Sequence, residues 1–196
     1  MERAYQPLPT RELGANAGFR RPLQPPNPRV TAESPAAHVM TDLTRTAPAT
    51  IRPQAPLAGA NQFMITRGVR LLLVADDHEN VLGVLTATDI LSEKPVRAVT
   101  ERAVRRDELT VEDVMTPVQQ VEAIEFSDLR GAHVGHVLET LRHAGRQHAL
   151  VVESEGARPM VRGIFSVSQI ARQLGITLPA GAEVARTFSE IESAIK

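Results

Sequence analysis

Residues 83–90 read GVLTATDI, and residues 163–170 read GIFSVSQI. Each stretch has a glycine, two apolar residues that suit a buried strand, and then Thr or Ser three positions before Asp or Gln. A hydroxyl residue followed at that spacing by an acid or amide is typical of the first turn of a helix. The two stretches predict the same strand-to-helix junction twice, which indicates an internal repeat.

The segments that open the two units also correspond. Residues 34–41 (SPAAHVMT) and residues 110–117 (TVEDVMTP) each predict a short helix that leads into Val-Met-Thr. A serine cap with proline at the first helical position starts the earlier one. Thr110 and Asp113 have the spacing of a capping box in the later one.

An amphipathic helix follows in each unit. Its apolar face is formed by Leu57, Ala60 and Met64 in the first unit and by Val134, Val137 and Leu141 in the second. Gly68 and Gly145 are expected to end these helices as C-terminal caps.

Two strands and a helix complete each unit. Residues 71–74 correspond to residues 149–152, and a polar turn leads to a second strand at 81–85 or 161–165. The order is strand, helix, strand, strand, helix, after the short leading helix. Because one unit is too small to bury both faces of its sheet, we expect the two units to pack on each other.

The sequence therefore predicts an α/β fold, α+β-like in its element order, of two tandem repeats packed through their sheets. The predicted domains are a Pro/Arg-rich N-terminal arm at 1–33, the first repeat at 34–95, an inter-repeat linker at 96–109, the second repeat at 110–176 and a C-terminal helical tail at 177–196.

Composition excludes several classes of partner. The net charge of −1 over 196 residues does not suit a binder of nucleic-acid phosphates, and an aromatic content of 3% leaves few platforms for base stacking. Without cysteine there is no disulfide or thiolate nucleophile. No apolar run is long enough to span a membrane, and no secretory leader precedes the repeats. We expect a cytoplasmic protein.

The two Val-Met-Thr openings, the glycines that close the helices and the paired junctions together resemble the cystathionine-β-synthase-type (CBS) domain family over residues 34–175. The resemblance is to a stand-alone pair of CBS domains, a Bateman module. It implies a non-catalytic regulatory module with two clefts between its repeats and no obligatory cofactor. Family members bind adenosine-containing ligands there, such as AMP, ADP, ATP, S-adenosylmethionine or a dinucleotide, and many are homodimers that signal to a protein effector in trans.

Thr86 and Asp89 carry the candidate binding chemistry. A strand that ends at Leu85 and a helix that begins at Ala87 leave free backbone N–H groups at a positive helix end, which attracts phosphate. The Thr86 hydroxyl can donate to a phosphate oxygen, and the Asp89 carboxylate can accept from sugar hydroxyls; the matching family residues make these contacts. The same pair also suits a capping box that only satisfies the helix start.

The second junction departs from the first. Ser166 and Gln169 keep capping-box spacing, but an amide is a weaker acceptor than a carboxylate for a pair of ribose hydroxyls. We therefore expect at most one good adenosine site in each chain, centred on Thr86 and Asp89. The second cleft is expected to be empty or to bind something else.

The resemblance supplies the remaining candidates. The segment that starts at Thr44 and runs to Ile51 is expected to border the first cleft. Val74, with Leu72, is a candidate to sandwich an adenine, although Leu72 suits the core better. The full set of predicted ligand-binding residues is Thr86, Asp89, Thr88, Thr44, Val74, Ser166 and Ser168.

Two other groups of charged or ionisable residues could be functional or could simply face solvent. His136, Glu139 and His143 share one helical face and could ligate a metal, but that face lies opposite the apolar stripe and suits solvent. The basic residues of the inter-repeat linker could reach a ligand's phosphates or an acidic partner, whereas the acids among them favour a mixed solvated surface. No nucleophile motif or nucleotide-binding glycine pattern is present, so catalysis has no candidate residues.

Both termini leave two readings open. The Pro/Arg-rich arm is a mobile tail or an extended segment anchored on a neighbouring surface. Near the C-terminus, Val184, Phe188, Ile191 and Ile195 form a narrow helical stripe, which suits docking on the same module or contact with a second copy or partner.

Two function classes remain. One is a ligand sensor, in which an adenosine compound changes the relation between the repeats and a partner in trans responds. The other is a scaffold that keeps the CBS fold without binding a ligand; the Gln169 junction favours it, and the Thr86 and Asp89 pair opposes it.

Overall fold

The computed structural model describes Thr10 and residues 30–156, 158–177 and 184–195. Most of the predicted N-terminal arm lies outside these residues, so both readings of it stay predictions. In the part of the chain that is described, no helix is long and apolar enough to cross a membrane.

Eight strands and six α-helices follow one another in the described part of the chain. In order they are β1 (Thr41–Asp42), β2 (Thr50–Ile51), α1 (Leu57–Arg67), β3 (Leu71–Ala75), β4 (Val81–Thr86), α2 (Ala87–Leu91), α3 (Lys94–Arg102), β5 (Thr116–Pro117), β6 (Ala123–Glu125), α4 (Val134–His143), β7 (His148–Glu155), β8 (Arg158–Ser166), α5 (Val167–Gln173) and α6 (Val184–Ile195). Short 3₁₀ helices at Ala36–Val39 and Val111–Asp113 precede β1 and β5.

The predicted order of elements occurs twice. β2, α1, β3, β4 and α2 form the first repeat, and β6, α4, β7, β8 and α5 form the second. In each repeat the first strand pairs in parallel with the second, which pairs antiparallel with the third. Gly68 and Gly145 follow their helices with φ of 65° and 62°, the left-handed conformation expected of glycine caps. The mixed α/β fold of two repeats is confirmed.

Strand register corrects the alignment of the repeats by one residue. Leu71 pairs with Thr86, whereas the residue that pairs with Ser166 is His148. His148 is therefore the counterpart of Leu71, a position that the sequence comparison gave to Ala149. The error arose because a histidine occupies the first position of β7, so the apolar run of the second repeat begins one residue after the strand does. Leu71 and His148 each lie three residues after their helix-closing glycine.

The segments that open the two units in sequence exchange partners in space. β1 pairs with β8 of the second repeat, and β5 pairs with β4 of the first. The short helices before these strands cross over as well: Val39 lies in the second repeat's core, and Val111 lies in the first repeat's core. Each core is completed by a segment that precedes the other repeat, so the two repeats depend on each other.

Glycines at the crossing points allow this close approach. A Cβ on Gly83 would lie 2.5 Å from the backbone oxygen of Thr116 in β5, and a Cβ on Gly163 would collide with the side chain of Met40 beside β1. These are the first glycines of the two junction motifs. Their place in the motif is explained by the crossing strand, not by the conformation of their own backbone.

Replacing Gly83 with Ala should cost more stability than replacing Gly163 with Ala. The obstacle at Gly83 is a backbone atom held in the sheet, while at Gly163 it is a flexible methionine that can turn aside. We expect a loss of about 1–3 kcal/mol for Gly83→Ala and a smaller loss for Gly163→Ala, measured by urea unfolding. Both variants gain the same methyl group in a strand, so equal losses would contradict the crossing-strand explanation.

The two sheets pack face to face. Leu71, Leu73 and Val84 of the first repeat form one buried cluster with Leu150 of the second. Alternate residues of β3 point the other way, into the first repeat's own core. The prediction that the repeats pack through their sheets is thus confirmed.

Helix α3 extends into the segment that the sequence treats as a linker and covers residues 96–102 of it. Its residue Ala98 is buried in the first repeat's core. Its strongly mixed charge concealed this helix in the sequence, although Pro95 lies in its first turn. The linker is therefore a structured part of the first repeat's surface.

The C-terminal helix docks on its own chain. Phe188 and Ile191 of α6 are buried against the core of the second repeat, and α6 packs beside α4. Of the two readings of the C-terminal stripe, docking on the same module is the one observed for these residues. The side chains of Val184 and Ile195 lie outside the described set.

Candidate functional site

Two clefts lie between the repeats. The first, which we name the Asp89 cleft, has a volume of about 280 Å³. Its walls are the junction residues Thr86, Thr88 and Asp89, the segment that includes Thr116 and residues 120–122, and residues 145–148 at the start of β7. The junction residues of the first repeat therefore face the second repeat, as expected for a site between repeats.

The second cleft, which we name the Gln169 cleft, has a volume of about 500 Å³. Ser166, Ser168 and Gln169 lie on one side of it, and residues 46–49 and 66–70 on the other. The predicted residues Ser166 and Ser168 thus line a cleft separate from that of Asp89.

Thr44 does not belong to the first cleft, and this expectation is wrong. The segment after Thr41 borders the Gln169 cleft, because β1 crosses to pair with β8. The Thr44 hydroxyl donates instead to the Asp42 carboxylate at 2.6 Å. The segment that does border the Asp89 cleft follows Thr116, the corresponding position of the other opening segment.

Val74 is also wrong as an adenine contact. It is fully buried in the first repeat's core, as is Leu72. Side chains alternate along β3, so the residues that face the clefts are Leu71 and its neighbour on β4, Val84. These two supply the apolar wall that the sequence assigned to Val74.

Thr86 and Asp89 form the capping box that the sequence left as an alternative. The backbone N–H of Asp89 donates to the Thr86 hydroxyl oxygen at 3.1 Å. Asp89 Oδ2 accepts from the backbone N–H of Thr86 at 2.8 Å and from its hydroxyl at 2.6 Å. The next backbone N–H, that of Ala87, donates to the Arg70 carbonyl at 2.9 Å. Three of the N–H groups expected at this corner for phosphate, those of Thr86, Ala87 and Asp89, already have acceptors.

Lys94 completes the surroundings of Asp89. Its ammonium group donates to Asp89 Oδ1 at 2.5 Å and to the Thr116 hydroxyl at 3.1 Å. It joins the junction of the first repeat to the segment that leads into the second. The Asp89 side chain remains 13% exposed. A carboxylate has about four lone-pair positions, and these contacts use three.

Ser166 and Gln169 do not form a capping box, so that prediction is wrong. Ser166 makes no side-chain bond to the helix start, and its hydroxyl lies 3.0 Å from that of Ser168. The Gln169 side-chain oxygen accepts from the Thr41 hydroxyl at 3.0 Å. The Gln169 amide thus holds the crossing strand β1, a contact that a carboxylate at this position could also make. Compared with the first junction, the second lacks the helix cap.

His148 stands in the wall between the two clefts and lines both of them, as does its counterpart Leu71. Burial and, to a smaller extent, the nearby positive charge of Arg70 lower the pKa of His148 from 6.5 to about 4, against the opposing effect of Asp89. The ring is therefore neutral near pH 7.

The clefts differ in charge. In the Asp89 cleft the charged lining groups are Asp89 and the ion pair of Arg146 with Glu122, whose closest atoms are 2.9 Å apart. The Gln169 cleft is lined by Arg67, Arg70 and Arg172 and by no acidic residue.

The histidine face and the basic linker are explained by local contacts. His136 Nδ1 accepts from the backbone N–H of His133 at 3.0 Å, and Glu139 forms an ion pair with Arg142. Among the described residues, no group of three or more His, Asp or Glu side chains is arranged to hold a metal ion. In the linker, Arg102 pairs with Asp113 and Arg105 with Asp107.

Sequence reasoning missed several residues of both clefts. Thr116 and His148 contribute to the Asp89 cleft, and Arg67 and Arg70 to the Gln169 cleft. Lys94 was predicted only as one of several basic residues that could reach a ligand's phosphates, and its bond to Asp89 was not foreseen. Thr116 could have been predicted from the sequence. It ends the second Val-Met-Thr, and the glycine at position 83 of the partner strand indicates close approach of another chain segment. The arginines had no comparable signal.

Comparison with known proteins supports the fold. Residues 36–95 match the family model of the CBS domain. A solved structure of an uncharacterised conserved protein from Pyrococcus horikoshii is 24% identical with a TM-score of 0.54, over 78% of this chain and 100% of that one. No curated protein matches the chain in sequence.

Two further solved structures were determined with ligands. CBSX2 of Arabidopsis thaliana, in complex with AMP, is 18% identical with a TM-score of 0.51, over 71% of this chain and 94% of that one. The CBS domain pair of protein MJ0100, in complex with 5'-methylthioadenosine and S-adenosyl-L-methionine, is 20% identical with a TM-score of 0.50, over 73% and 97%. At these identities the likeness shows a common fold.

Proposed function

We propose, for a chain that has the fold of a CBS-domain pair, that it is a non-catalytic regulatory module that binds an adenosine-containing ligand in the Asp89 cleft and signals to a partner in trans. The observation that carries the proposal is the carboxylate of Asp89, which faces a cleft between the repeats with Thr86 and Thr88 beside it. The cytoplasmic location and the homodimer predicted from sequence are parts of the same proposal.

The chemistry of the cleft supports this ligand class. A ribose offers neighbouring hydroxyl donors, and Asp89 keeps an unused lone-pair position at the cleft surface. Leu71 and Val84 give an apolar surface for a base. The volume of about 280 Å³ lies near the lower end of small-molecule sites. CBSX2 in complex with AMP and MJ0100 in complex with two adenosine compounds add support from the fold.

Lys94 offers a route from ligand to output. It contacts both Asp89 and Thr116 and is the first residue of α3. One ribose hydroxyl can use the unused position on Asp89 Oδ1, but a ribose that donates both neighbouring hydroxyls to this oxygen must displace the ammonium group. Displacement frees the start of α3 from the Thr116 segment. Such displacement favours one arrangement of the repeats over another, which is what a partner would read.

A thermal-shift panel tests the proposal. It should include adenosine, AMP, ADP, ATP, S-adenosylmethionine and NAD, with the matching guanosine compounds as controls. A ligand present at 100 times its Kd stabilises the native state by about 2.7 kcal/mol, which raises the Tm of a chain of this size by roughly 5 °C or more. The sensor proposal fails if no adenosine compound raises the Tm or if guanosine compounds do so equally.

A scaffold that keeps the fold without a ligand is the second candidate. It is favoured by the capping box and the Lys94 contact, which give the Asp89 carboxylate a structural role without any ligand. The same panel separates the two candidates, because a scaffold shows no stabilisation by any adenosine compound.

A further inference from the structure

We propose that the Gln169 cleft is a separate site for a chain of phosphate groups, held by Arg67, Arg70 and Arg172. From the sequence, this cleft is expected to be empty or to bind something other than adenosine. Its charge gives it a ligand class of its own, which does not depend on adenosine binding at Asp89.

The three arginines lack acidic partners. No ion pair joins any of them to an acidic side chain of the described residues, and no Asp or Glu lines the cleft with them. In the other cleft, by contrast, Arg146 is paired with Glu122. Three uncompensated cations around one concave site raise the local concentration of anions.

The fold does not require these cations. Strand register places Gln147 at the position of Arg70. Counting back from the helix-closing glycines places Ala144 at the position of Arg67, and counting forward from the junction hydroxyls places Ser92 at that of Arg172. All three counterparts are uncharged. The second cleft has therefore gained its positive charge at positions where the same architecture accepts neutral residues.

The position of the arginines indicates an extended anion. Arg67 and Arg70 belong to the end of α1 and the loop after it, while Arg172 lies on α5 of the other repeat. One anionic group at one repeat would leave the cation of the other unsatisfied, whereas a chain of phosphates can reach both. Arginine forms paired hydrogen bonds with phosphate oxygens.

The rest of the cleft suits the same ligand. The hydroxyls of Ser166 and Ser168 lie in its wall and can donate to phosphate oxygens. The side-chain oxygen of Gln169 accepts from the Thr41 hydroxyl, and no carboxylate of the described residues lines the cleft to repel an anion. The cleft volume of about 500 Å³ exceeds that of the Asp89 cleft and falls within the usual range for small-molecule sites.

Calorimetric titration with sodium tripolyphosphate, which contains no adenosine, tests the proposal directly. We expect the full chain to bind about one tripolyphosphate, more weakly as salt is raised. The double variant Arg70→Gln with Arg172→Ser, which introduces the counterpart residues of the other repeat, should bind at least about tenfold more weakly, since each lost charged contact is worth about 1.5–3 kcal/mol. Arg97→Gln removes an exposed cation that lines neither cleft and should bind as the wild type does.

The proposal is overturned if the wild type does not bind tripolyphosphate, or if Arg97→Gln weakens binding as much as the double variant does. Arg67→Ala provides a second test in case the double variant does not fold, with the same direction of effect expected.

Two further titrations identify the source of the phosphates. ATP binding more tightly than tripolyphosphate, with the gain lost in the arginine variants, identifies a nucleotide; equal affinities identify a free polyanion. Adenosine alone reports on the Asp89 cleft, so failure of the proposed function and failure of this inference give different results.

Discussion

Replacing Asp89 with Ala should remove most of the stabilisation that an adenosine ligand gives. The carboxylate is the strongest acceptor available to ribose in the Asp89 cleft, and a hydrogen bond to a charged group is worth about 1.5–3 kcal/mol. A loss of about 2.7 kcal/mol weakens binding roughly 100-fold. At a ligand concentration of 100 times the wild-type Kd, stabilisation should then fall from about 2.7 to about 0.4 kcal/mol. Thermal shift measures both values.

The chain contains a matched control at Asp113. Like Asp89, it accepts from the backbone N–H and hydroxyl of a threonine three positions earlier, and it forms an ion pair with a cation of α3, here Arg102. Asp113 lines neither cleft. Asp113→Ala should lower the Tm of the unliganded protein about as much as Asp89→Ala does, because each loses a cap worth about 1 kcal/mol.

The two variants should differ only in their response to ligand. Asp113→Ala should keep the full ligand-induced shift, while Asp89→Ala should lose most of it. If both lose the shift equally, the carboxylate at 89 acts through helix capping alone, and the assignment of Asp89 as the ribose acceptor is wrong.

The fold was predictable because its signals are local and occur twice. The junction at 83–90, the helix-closing glycines and the apolar faces of α1 and α4 each depend on residues a few positions apart, and their recurrence indicates the repeat. Strand register was harder to predict. The first position of β7 is a histidine where β3 has Leu71, so an alignment by apolar residues places the second repeat one residue out of register.

The make-up of the clefts was only partly predictable, because it depends on pairing between distant segments. Thr86, Thr88 and Asp89 come from one junction and were found together. Thr44 was assigned to the wrong cleft because the crossing of β1 to β8 joins parts of the chain far apart in sequence. Nothing local to the opening segment distinguishes pairing with its own repeat from pairing with the other.

The repeat architecture also explains how one chain can have two different sites. Both clefts have the same wall positions, and the residues at those positions differ. One cleft presents a carboxylate beside threonine hydroxyls, and the other presents serine hydroxyls among three arginines. Among the described residues, Leu71 and His148 are the two that line both clefts. A change at either residue is therefore expected to affect both sites.

His148 should make the protein sensitive to mild acid. Its pKa is lowered to about 4 in the folded chain from 6.5, first by burial and then by Arg70, with Asp89 acting in the opposite direction. As pH falls below 6.5 the unfolded chain takes up a proton on this histidine, whereas the folded chain does so only near pH 4. Stability is therefore lost as pH falls through this window, and His148 contributes no further pH dependence below it.

The expected loss between pH 7 and pH 5 is at most about 2 kcal/mol, because each pKa unit corresponds to about 1.4 kcal/mol and water reaches the ring from the clefts. His148→Leu places at 148 the residue type found at the corresponding position 71 of the first repeat. It should remove most of this loss of stability, measured by urea unfolding at pH 7 and pH 5. His38→Gln removes an exposed imidazole and should leave the loss unchanged. Asp42, whose pKa is lowered to about 2 by its bonds with Thr44 and Arg162, titrates below this window. A variant at 148 that remains as acid-sensitive as the wild type would show that other groups account for the effect.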